Sequence, residues 1–334
     1  MNSINLDYTF SNEECLKLTH ELLKIGNNPY TDYASFRIYV KKIIESNKNI
    51  PRDFINLCLH KRKLDQYKDP YVFVKNCPVD PDLPFLDFDN PVEDKRNRKK
   101  TFVAEAFLEL YAQLMGQEPI GYINVNDGDI FQDIHPMKKL INTQSQKASK
   151  TIYFHKDLAN HFVRPDWVNI LGLRASDENE IYTSFVRNRD LLNYIDDKLH
   201  AVLREPIFYT PYDDLTLSSS NKELGRAPSH PVLGGAESFD IRFFENRTEG
   251  ITDHAKEAVE EIVKALHALK QRLHISKGDF IGSANNECIH NKEVIRIGDE
   301  AAVNNRWLIK TVNVKCLDLH KAHMCEGEIR IVNG

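Results

Sequence analysis

A histidine and an aspartate two positions apart are the residues of this sequence best suited to chemistry. His155 and Asp157 follow a run of strand-forming residues at 151–154, so the pair is predicted at the end of a strand. On an extended backbone, residues i and i+2 point to the same side. An imidazole and a carboxylate at this spacing can therefore bind one metal ion together. The spacing alone is not specific, because short His/Asp spacings also arise by chance on protein surfaces.

A second stretch, residues 278–290, supplies the further metal ligand that the first stretch lacks. Gly278-Asp279 predicts a tight turn before a strand, and His290 follows. A second imidazole would complete the 2-His-1-carboxylate triad that binds non-haem Fe(II) and leaves three positions open. Arg306 comes sixteen residues later, with room for a hairpin return to the same pocket. Its planar guanidinium suits two-point capture of a carboxylate.

Both stretches resemble the clavaminate synthase-like group of Fe(II)/2-oxoglutarate oxygenases, which hydroxylate free amino acids. The residues that match the group's pattern are His155-Lys156-Asp157, Arg164-Pro165-Asp166, Leu171-Gly172-Leu173-Arg174, Gly278-Asp279, Asn285, His290 and Arg306-Trp307-Leu308. The resemblance covers about residues 100–315, and the combination is far more specific than either stretch alone. Within the group, the chain looks most like bacterial L-lysine hydroxylases, the relatives of a lysine halogenase.

The resemblance implies an α+β fold with a double-stranded β-helix core, which is a jelly-roll of the cupin-like kind, together with an N-terminal helical layer and flanking helices. We expect a single oxygenase domain over residues 1–334, with the helical layer in 1–70 and the jelly-roll in 101–315. Fe(II) would be held by His155, Asp157 and His290, with 2-oxoglutarate and O2 as cosubstrates. Arg306 would pair with the far carboxylate of 2-oxoglutarate, because an unpaired buried charge costs several kcal/mol. Thr183 matches the position of a hydroxyl donor to the same cosubstrate.

The implied reaction is hydroxylation of free L-lysine, at C4, with release of succinate and carbon dioxide. Relatives carry a second arginine where this chain has Lys310. A lysine keeps the positive charge beside the cosubstrate but lacks the planar guanidinium that binds a carboxylate at two points. Lys310 or Arg242 is therefore predicted to hold the carboxylate of the amino acid, and Asn124 to contact its backbone end. The lysine ammonium needs an acid. The candidates are Asp240, Glu245 and Asp133, each of which also reads as an ordinary surface carboxylate.

Three alternatives stay open. Halogenases of this group replace the metal-binding carboxylate with Gly or Ala to admit chloride, and Asp157 fills that position, which favours hydroxylation. The same chemistry could act on arginine, ornithine or a carrier-bound residue. The third alternative is a different class of protein, a non-catalytic jelly-roll protein that keeps its metal site. Turnover of 2-oxoglutarate would distinguish an enzyme from such a protein.

Composition narrows the class of protein. The 334 residues carry a net charge of −5 with both signs interspersed, which argues against nucleic acid or an anionic membrane as the partner. We find neither a membrane-length apolar run nor a secretory signal, so a cytoplasmic location is expected. The six cysteines show no Cys-x-x-Cys spacing and predict reduced thiols, with Cys288 packed on the barrel wall. The oligomeric state is left open, a homo-oligomer included.

The patterns of apolar residues predict the elements around the site. Helices are predicted over 11–70, 101–115, 191–203 and 253–273, and strands over 71–74, 121–124, 130–134 and 239–244. Residues 77–100 predict a long irregular connection whose basic run at 95–100 is solvated. The loop-rich segment 205–236 is predicted to cover the substrate.

Overall fold

The structure is a computed structural model that describes residues 4–159, 161–212, 227–234 and 239–333. Much of the predicted covering loop, residues 213–226 and 235–236, lies outside the described residues. The helices are α1 (Asn12–Leu22), α2 (Tyr33–Ser46), α3 (Arg52–Lys61), α4 (Pro91–Arg98), α5 (Val103–Met115), α6 (Asn188–Tyr194), α7 (Asp197–Leu203), α8 (Asp253–Leu269) and α9 (Glu300–Asn304). The strands are β1 (Tyr8–Thr9), β2 (Tyr71–Lys75), β3 (Glu118–Tyr122), β4 (Gln132–Ile134), β5 (Ile152–His155), β6 (Trp167–Arg174), β7 (Glu180–Arg187), β8 (Phe208–Tyr209), β9 (Glu249–Gly250), β10 (Gln271–Leu273), β11 (Phe280–Ala284), β12 (Cys288–Arg296), β13 (Trp307–Val314) and β14 (Ile331–Val332).

The N-terminal helices form as the sequence predicts. Ser11 accepts from the backbone N–H of Glu14, whose carboxylate accepts from Ser11, so α1 begins with a complete capping box. Helix α5 is buried almost all round, because α1, α2 and α3 pack on it from one side and the large sheet from the other. It ends at Gly116, whose φ of 68° needs a residue without a Cβ.

Two sheets stack in the middle of the molecule. Within the described residues, the larger sheet has the order β1-β2-β11-β6-β13-β3-β14 with β4 paired to β13, and the smaller has the order β10-β7-β12-β5. Strand β6 shows how the layers alternate: Val168 and Ile170 pack in the core that Phe185 of the smaller sheet shares, whereas Leu171 and Leu173 pack against the helical layer. Helices α6, α7 and α8 cover the outer face of the smaller sheet. The result is a mixed α and β architecture with helices on both outer faces.

Several predicted elements were wrong in detail. The connection at 77–100 contains α4, which buries Lys95 and Lys99 of the basic run completely, against the buried carboxylates of Asp133 and Asp80. The segment 239–244 makes only single bridges to Leu233 and His155 and forms no strand. The predicted helix at 191–203 divides into α6 and α7, because Asp196 caps a new helix through Leu199 N–H. The predicted helix at 253–273 ends at 269, and residues 271–273 join the smaller sheet.

None of the described helices is long and apolar enough to cross a membrane.

Candidate metal centre

Strand pairing brings the three predicted ligands together. His155 ends β5, and His290 of β12 is its direct partner in the antiparallel ladder, so both imidazoles stand on one face. Asp157 follows two residues after His155. Its Oδ1 lies 3.3 Å from His155 Nε2 and 3.5 Å from His290 Nε2. Among the described residues, this is the only group of three or more His, Cys, Asp or Glu side chains whose ligand atoms lie within 4.8 Å of one another.

Each ligand is held in the state that a metal ion requires. His155 Nδ1 lies 2.8 Å from the carbonyl of Tyr153, which makes Nδ1 the protonated nitrogen and leaves Nε2 free to bind. Burial, and then the neighbouring His155, lower the pKa of His290 and favour its neutral form. Burial would raise the pKa of Asp157, but Lys310 and the two imidazoles hold it well below its usual range. The Lys310 ammonium lies 2.9 Å from Asp157 Oδ2.

Asn285 fixes the backbone that carries Asp157. Its side-chain oxygen accepts from the Asp157 N–H at 3.0 Å, and its amide donates to the Asp157 carbonyl at 3.0 Å. The same amide donates to the carbonyl of Pro165 at 2.9 Å. Asn285 is almost fully buried, so these hydrogen bonds do not compete with water. The match of Asn285 to the sequence pattern thus has a structural reason: it holds the residue that follows β5.

A buried region that includes a cationic side chain lies along one face of β7. Ile181 contacts the same small pocket as Arg306, and Phe185 lies beside His290 with ring centroids 5.9 Å apart. Thr183 lies between them on the same face, since side chains alternate along a strand. The Arg306 side chain makes no hydrogen bond or ion pair with any described residue, and burial lowers its pKa to about 10. A buried guanidinium with no described anionic partner is suited to an anionic ligand.

Lys292 is a second cation in the region of Arg306. It is the cross-strand partner of Thr183 and lies two residues beyond His290, on the same face of β12. Its ammonium donates to the carbonyl of Ala148. Burial, together with the charge of Arg306, lowers the pKa of Lys292 to about 7. Alternation along a strand is the signal that could have found this residue, because a lysine two positions after a histidine on a strand points to the same side.

A cavity of about 470 Å³ opens from the metal centre. The metal-ligand candidates His155 and Asp157 line it, together with Lys310, Asn124 and Arg242. The lining is mixed: apolar residues such as Val125, Met137, Leu158 and Phe244 alternate with polar and charged ones, among them Asp127, Gln132, Lys139, Gln144, Lys147 and Arg247. Among the described lining residues, Asp127 and Asp157 are the only carboxylates. Thr183 and Arg306 do not line this cavity, and both are buried.

The structure does not place the three acids predicted for the substrate at the cavity. Asp240 is buried between Lys156 and Arg164, and Glu245 is buried between His267 and the backbone N–H of Phe154. Asp133 pairs with Lys95 and accepts from the indole N–H of Trp307 at 3.0 Å. None of the three lines the cavity. Each is committed to an internal partner from a distant part of the chain, which spacing along the sequence does not reveal.

No protein-family model matches the chain. In sequence it is similar to L-asparagine oxygenase of Streptomyces coelicolor, with 26% identity over 58% of this chain and 57% of the relative. It is also similar to L-lysine 3-hydroxylase of Catenulispora acidiphila, with 26% identity over 52% of this chain and 49% of that protein. Clavaminate synthase 2 of Streptomyces clavuligerus matches at 28% identity over 41% of each chain. The chain thus matches about half the length of these relatives.

Solved structures match over the full length. A crystal structure of asparagine oxygenase with Fe(II), 2S,3S-3-hydroxyasparagine and succinate superimposes with a TM-score of 0.81 at 21% identity, covering 99% of this chain and 100% of that one. The non-haem iron oxygenase OrfP with Fe, succinate and (3R,4R)-dihydroxy-L-Arg gives a TM-score of 0.78 at 18% identity, covering 97% and 99%. The chain therefore has the fold of these oxygenases. The predicted likeness to amino-acid oxygenases of this kind is confirmed.

Proposed function

We propose that the chain is an Fe(II)- and 2-oxoglutarate-dependent oxygenase that hydroxylates a free amino acid, with L-lysine as the substrate and C4 as the position. We propose also that the stacked sheets form a double-stranded β-helix within one oxygenase domain. One observation carries the activity: the ligand atoms of His155, Asp157 and His290 lie within 4.8 Å of one another, and His155 and Asp157 line a cavity. The relatives named above, which oxygenate amino acids, support it.

The donor set fits iron. Two neutral imidazole nitrogens and one carboxylate oxygen are the protein ligands of the facial triad, which leaves three positions for exchangeable ligands. Iron bound there would supply the activation of dioxygen that couples oxidation of 2-oxoglutarate, to succinate and carbon dioxide, with insertion of one oxygen atom into a C–H bond. Asp157 occupies the position that a halide would need, so hydroxylation is the proposed outcome. The Asn285 contacts keep that carboxylate in place.

The cosubstrate is proposed to extend from the metal centre toward Arg306. Its far carboxylate would pair with the buried guanidinium, which makes no ion pair with a described residue, and would accept from the Thr183 hydroxyl. Lys292, opposite Thr183 in the ladder, would add a second positive charge. Because water is largely excluded between the sheets, these charge-assisted contacts orient the cosubstrate with little competition.

The amino acid is proposed to lie in the cavity above the metal. Lys310 is placed for its carboxylate because its ammonium lies next to Asp157, and Arg242 and Asn124 also line the cavity. Asp240 and Glu245 pair with internal partners. Among the described residues, Asp127 is therefore the proposed partner of the lysine ammonium. Its side chain is 79% exposed and shares Arg96 with Asp129. Lysine rests chiefly on the likeness to lysine hydroxylases, including the L-lysine 3-hydroxylase above.

A second substrate class is favoured by the charge of the cavity. Lys139, Lys147 and Lys310 line it, and the amides of Asn124 and Gln132 add hydrogen-bonding groups. Such a wall suits an amino acid with a neutral polar side chain better than one with a cation. Asparagine is the obvious member of this class, and asparagine oxygenase is among the similar proteins.

The test is anaerobic reconstitution with Fe(II), followed by air, 2-oxoglutarate and one free amino acid at a time. The panel contains L-lysine, L-arginine, L-ornithine and L-asparagine. We expect succinate and a product heavier by one oxygen atom with lysine, and NMR would locate the hydroxyl at C4. Turnover with asparagine but not lysine would move the proposal to the second class. Absence of stimulated succinate formation across a wide panel of free amino acids, in a protein that binds Fe(II), would overturn the proposed activity.

A further inference from the structure

The middle residue of the proposed metal-binding triplet follows β5 directly and is buried, although it is among the residues that line the cavity. Lys156 lies between His155 and Asp157, and its side chain has no exposed surface. Its ammonium donates to Asp240 Oδ1 at 2.7 Å and to the carbonyl of Asn286 at 3.1 Å. Burying a lysine costs free energy unless it is paired, so a buried lysine at this place needs a reason.

Asp240 is shared between two cations. Its Oδ2 accepts from an Arg164 NH group at 3.0 Å, while Oδ1 accepts from Lys156. Burial alone would raise the pKa of Asp240, but Lys156 and Arg164 lower it below its ordinary value, so the carboxylate stays charged. The three side chains form a buried charge triad, which we call the Lys156 triad: Lys156, Asp240 and Arg164.

The Lys156 triad joins the segments that carry the ligands. Lys156 belongs to the segment of His155 and Asp157, and its second acceptor, the Asn286 carbonyl, lies in the turn that leads into β12. That strand carries His290. Asn285, one residue earlier in the same turn, holds the Asp157 backbone. The triplet is thus tied to the strand of the third ligand from two sides, through a backbone clamp and through a charged side chain.

We propose that Lys156 is a positioning residue for the metal centre. Its ion pair with Asp240, which Arg164 supports, holds His155 and Asp157 at the separation from His290 that one metal ion requires. The proposal rests on the proposed metal site and adds a role for residues that neither bind the metal nor line its coordination sphere. It also explains why Asp240, which the sequence suggested as a substrate acid, has no free oxygen to offer.

A matched control exists in the helical layer. Lys99 is also fully buried, and it pairs with Asp80 at 3.0 Å and with Glu105. It lies outside the metal centre and the cavity. Replacing Lys99 with methionine removes the cation that Asp80 and Glu105 share, and replacing Lys156 leaves Asp240 with Arg164 alone, so both variants are expected to lose thermal stability. Only the substitution at position 156 should also weaken metal binding.

The experiment titrates metal-free protein with Mn(II), Co(II) and anaerobic Fe(II) by calorimetry, and measures Tm in parallel. Wild type, Lys156→Met, Asp240→Asn and Lys99→Met are compared. We expect Lys156→Met to weaken metal binding by about tenfold to a hundredfold, the usual effect of residues that orient metal ligands. Asp240→Asn, which keeps a hydrogen-bond acceptor, should show a smaller loss in the same direction. Lys99→Met should bind metal like wild type.

The outcomes separate this inference from the proposed function. If wild type binds none of the three ions, the metal site and the inference fall together. If wild type binds and both triad variants bind equally well while their Tm values fall as in Lys99→Met, the triad is structural only and the inference alone is overturned. Should Lys156→Met not fold, Asp240→Asn decides: unchanged affinity in that variant rejects the positioning role.

Discussion

The two ends of the cavity are built differently. At the metal end, His155 and His290 are paired residues of one antiparallel ladder, and Asn285 clamps Asp157. At the proposed substrate end, loops and short turns supply much of the wall, and Asp127 and Lys139 there are exposed. A ladder fixes the separation of its side chains to within a fraction of an ångström, whereas loops tolerate change. The metal end therefore defines the chemistry, and the substrate end is where related enzymes can differ.

Removing the metal carboxylate should give the largest effect. Asp157→Gly deletes one of the three ligands and leaves Lys310 without its ion partner. We expect metal affinity to fall by more than about a hundredfold, beyond what outer residues contribute, and hydroxylation to be lost. Calorimetry with Mn(II) and succinate formation measure the two effects. Asp127→Asn, at the other end of the cavity, is the control and should bind metal like wild type. Hydroxylation by Asp157→Gly at a wild-type rate would exclude Asp157 as a ligand.

Arg306→Gln should separate cosubstrate binding from metal binding. The buried guanidinium makes no ion pair with a described residue, so its removal leaves no described carboxylate stranded. A charge-assisted contact contributes about 1.5–3 kcal/mol, so the 2-oxoglutarate concentration needed for half-maximal turnover should rise about tenfold to a hundredfold. Metal affinity should not change. Arg174→Gln is the control, since Arg174 donates to the carbonyls of Leu83 and Pro84, outside the site. An unchanged 2-oxoglutarate dependence would assign the far carboxylate to another cation, Lys292 first.

Acid should loosen the substrate end through His230. Thr248 accepts from the Phe244 N–H and pairs with Thr210, whose hydroxyl lies 2.8 Å from His230 Nε2, while His230 Nδ1 faces the Pro231 carbonyl. Burial lowers the pKa of His230 to about 4 and so favours the neutral imidazole in this hydrogen-bond chain. Phe244 in turn stacks on His155.

The direction in which stability changes with pH follows from proton linkage. The folded pKa of His230 is below the ordinary value of about 6.5, so the unfolded chain takes up the proton first. The stability that this residue contributes is complete above about pH 6.5 and is lost as the pH falls toward and below 4. Urea denaturation at several pH values should show a steeper loss for wild type than for His230→Gln. Parallel curves for the two proteins over that range would contradict the prediction.

The sequence was sufficient for the metal end because spacing on a strand determines direction. His155, Asp157 and His290 could be placed together from alternation and a resemblance, and the pattern of apolar residues predicted the helices within 11–70. The acids were not predictable in the same way. Asp240 and Glu245 look like substrate residues along the chain, but their partners lie far away in sequence, 84 residues for Lys156 and Asp240. Charge pairing across such separations is decided by packing, which periodicity does not encode.

The smallest expected effect concerns the choice of substrate. Asp127 is mostly exposed and already shares Arg96, so its contribution to binding an ammonium is that of a surface ion pair. Asp127→Asn should therefore raise KM for L-lysine by about fivefold or less, with kcat, metal affinity and 2-oxoglutarate dependence unchanged. The same variant assayed with asparagine is the internal control, because a neutral side chain has no ammonium to lose. A rise for lysine alone would place the ammonium at this wall of the cavity. Equal KM values for wild type and variant with lysine would remove Asp127 from the site and strengthen the neutral substrate class, which the lysine-rich wall already favours.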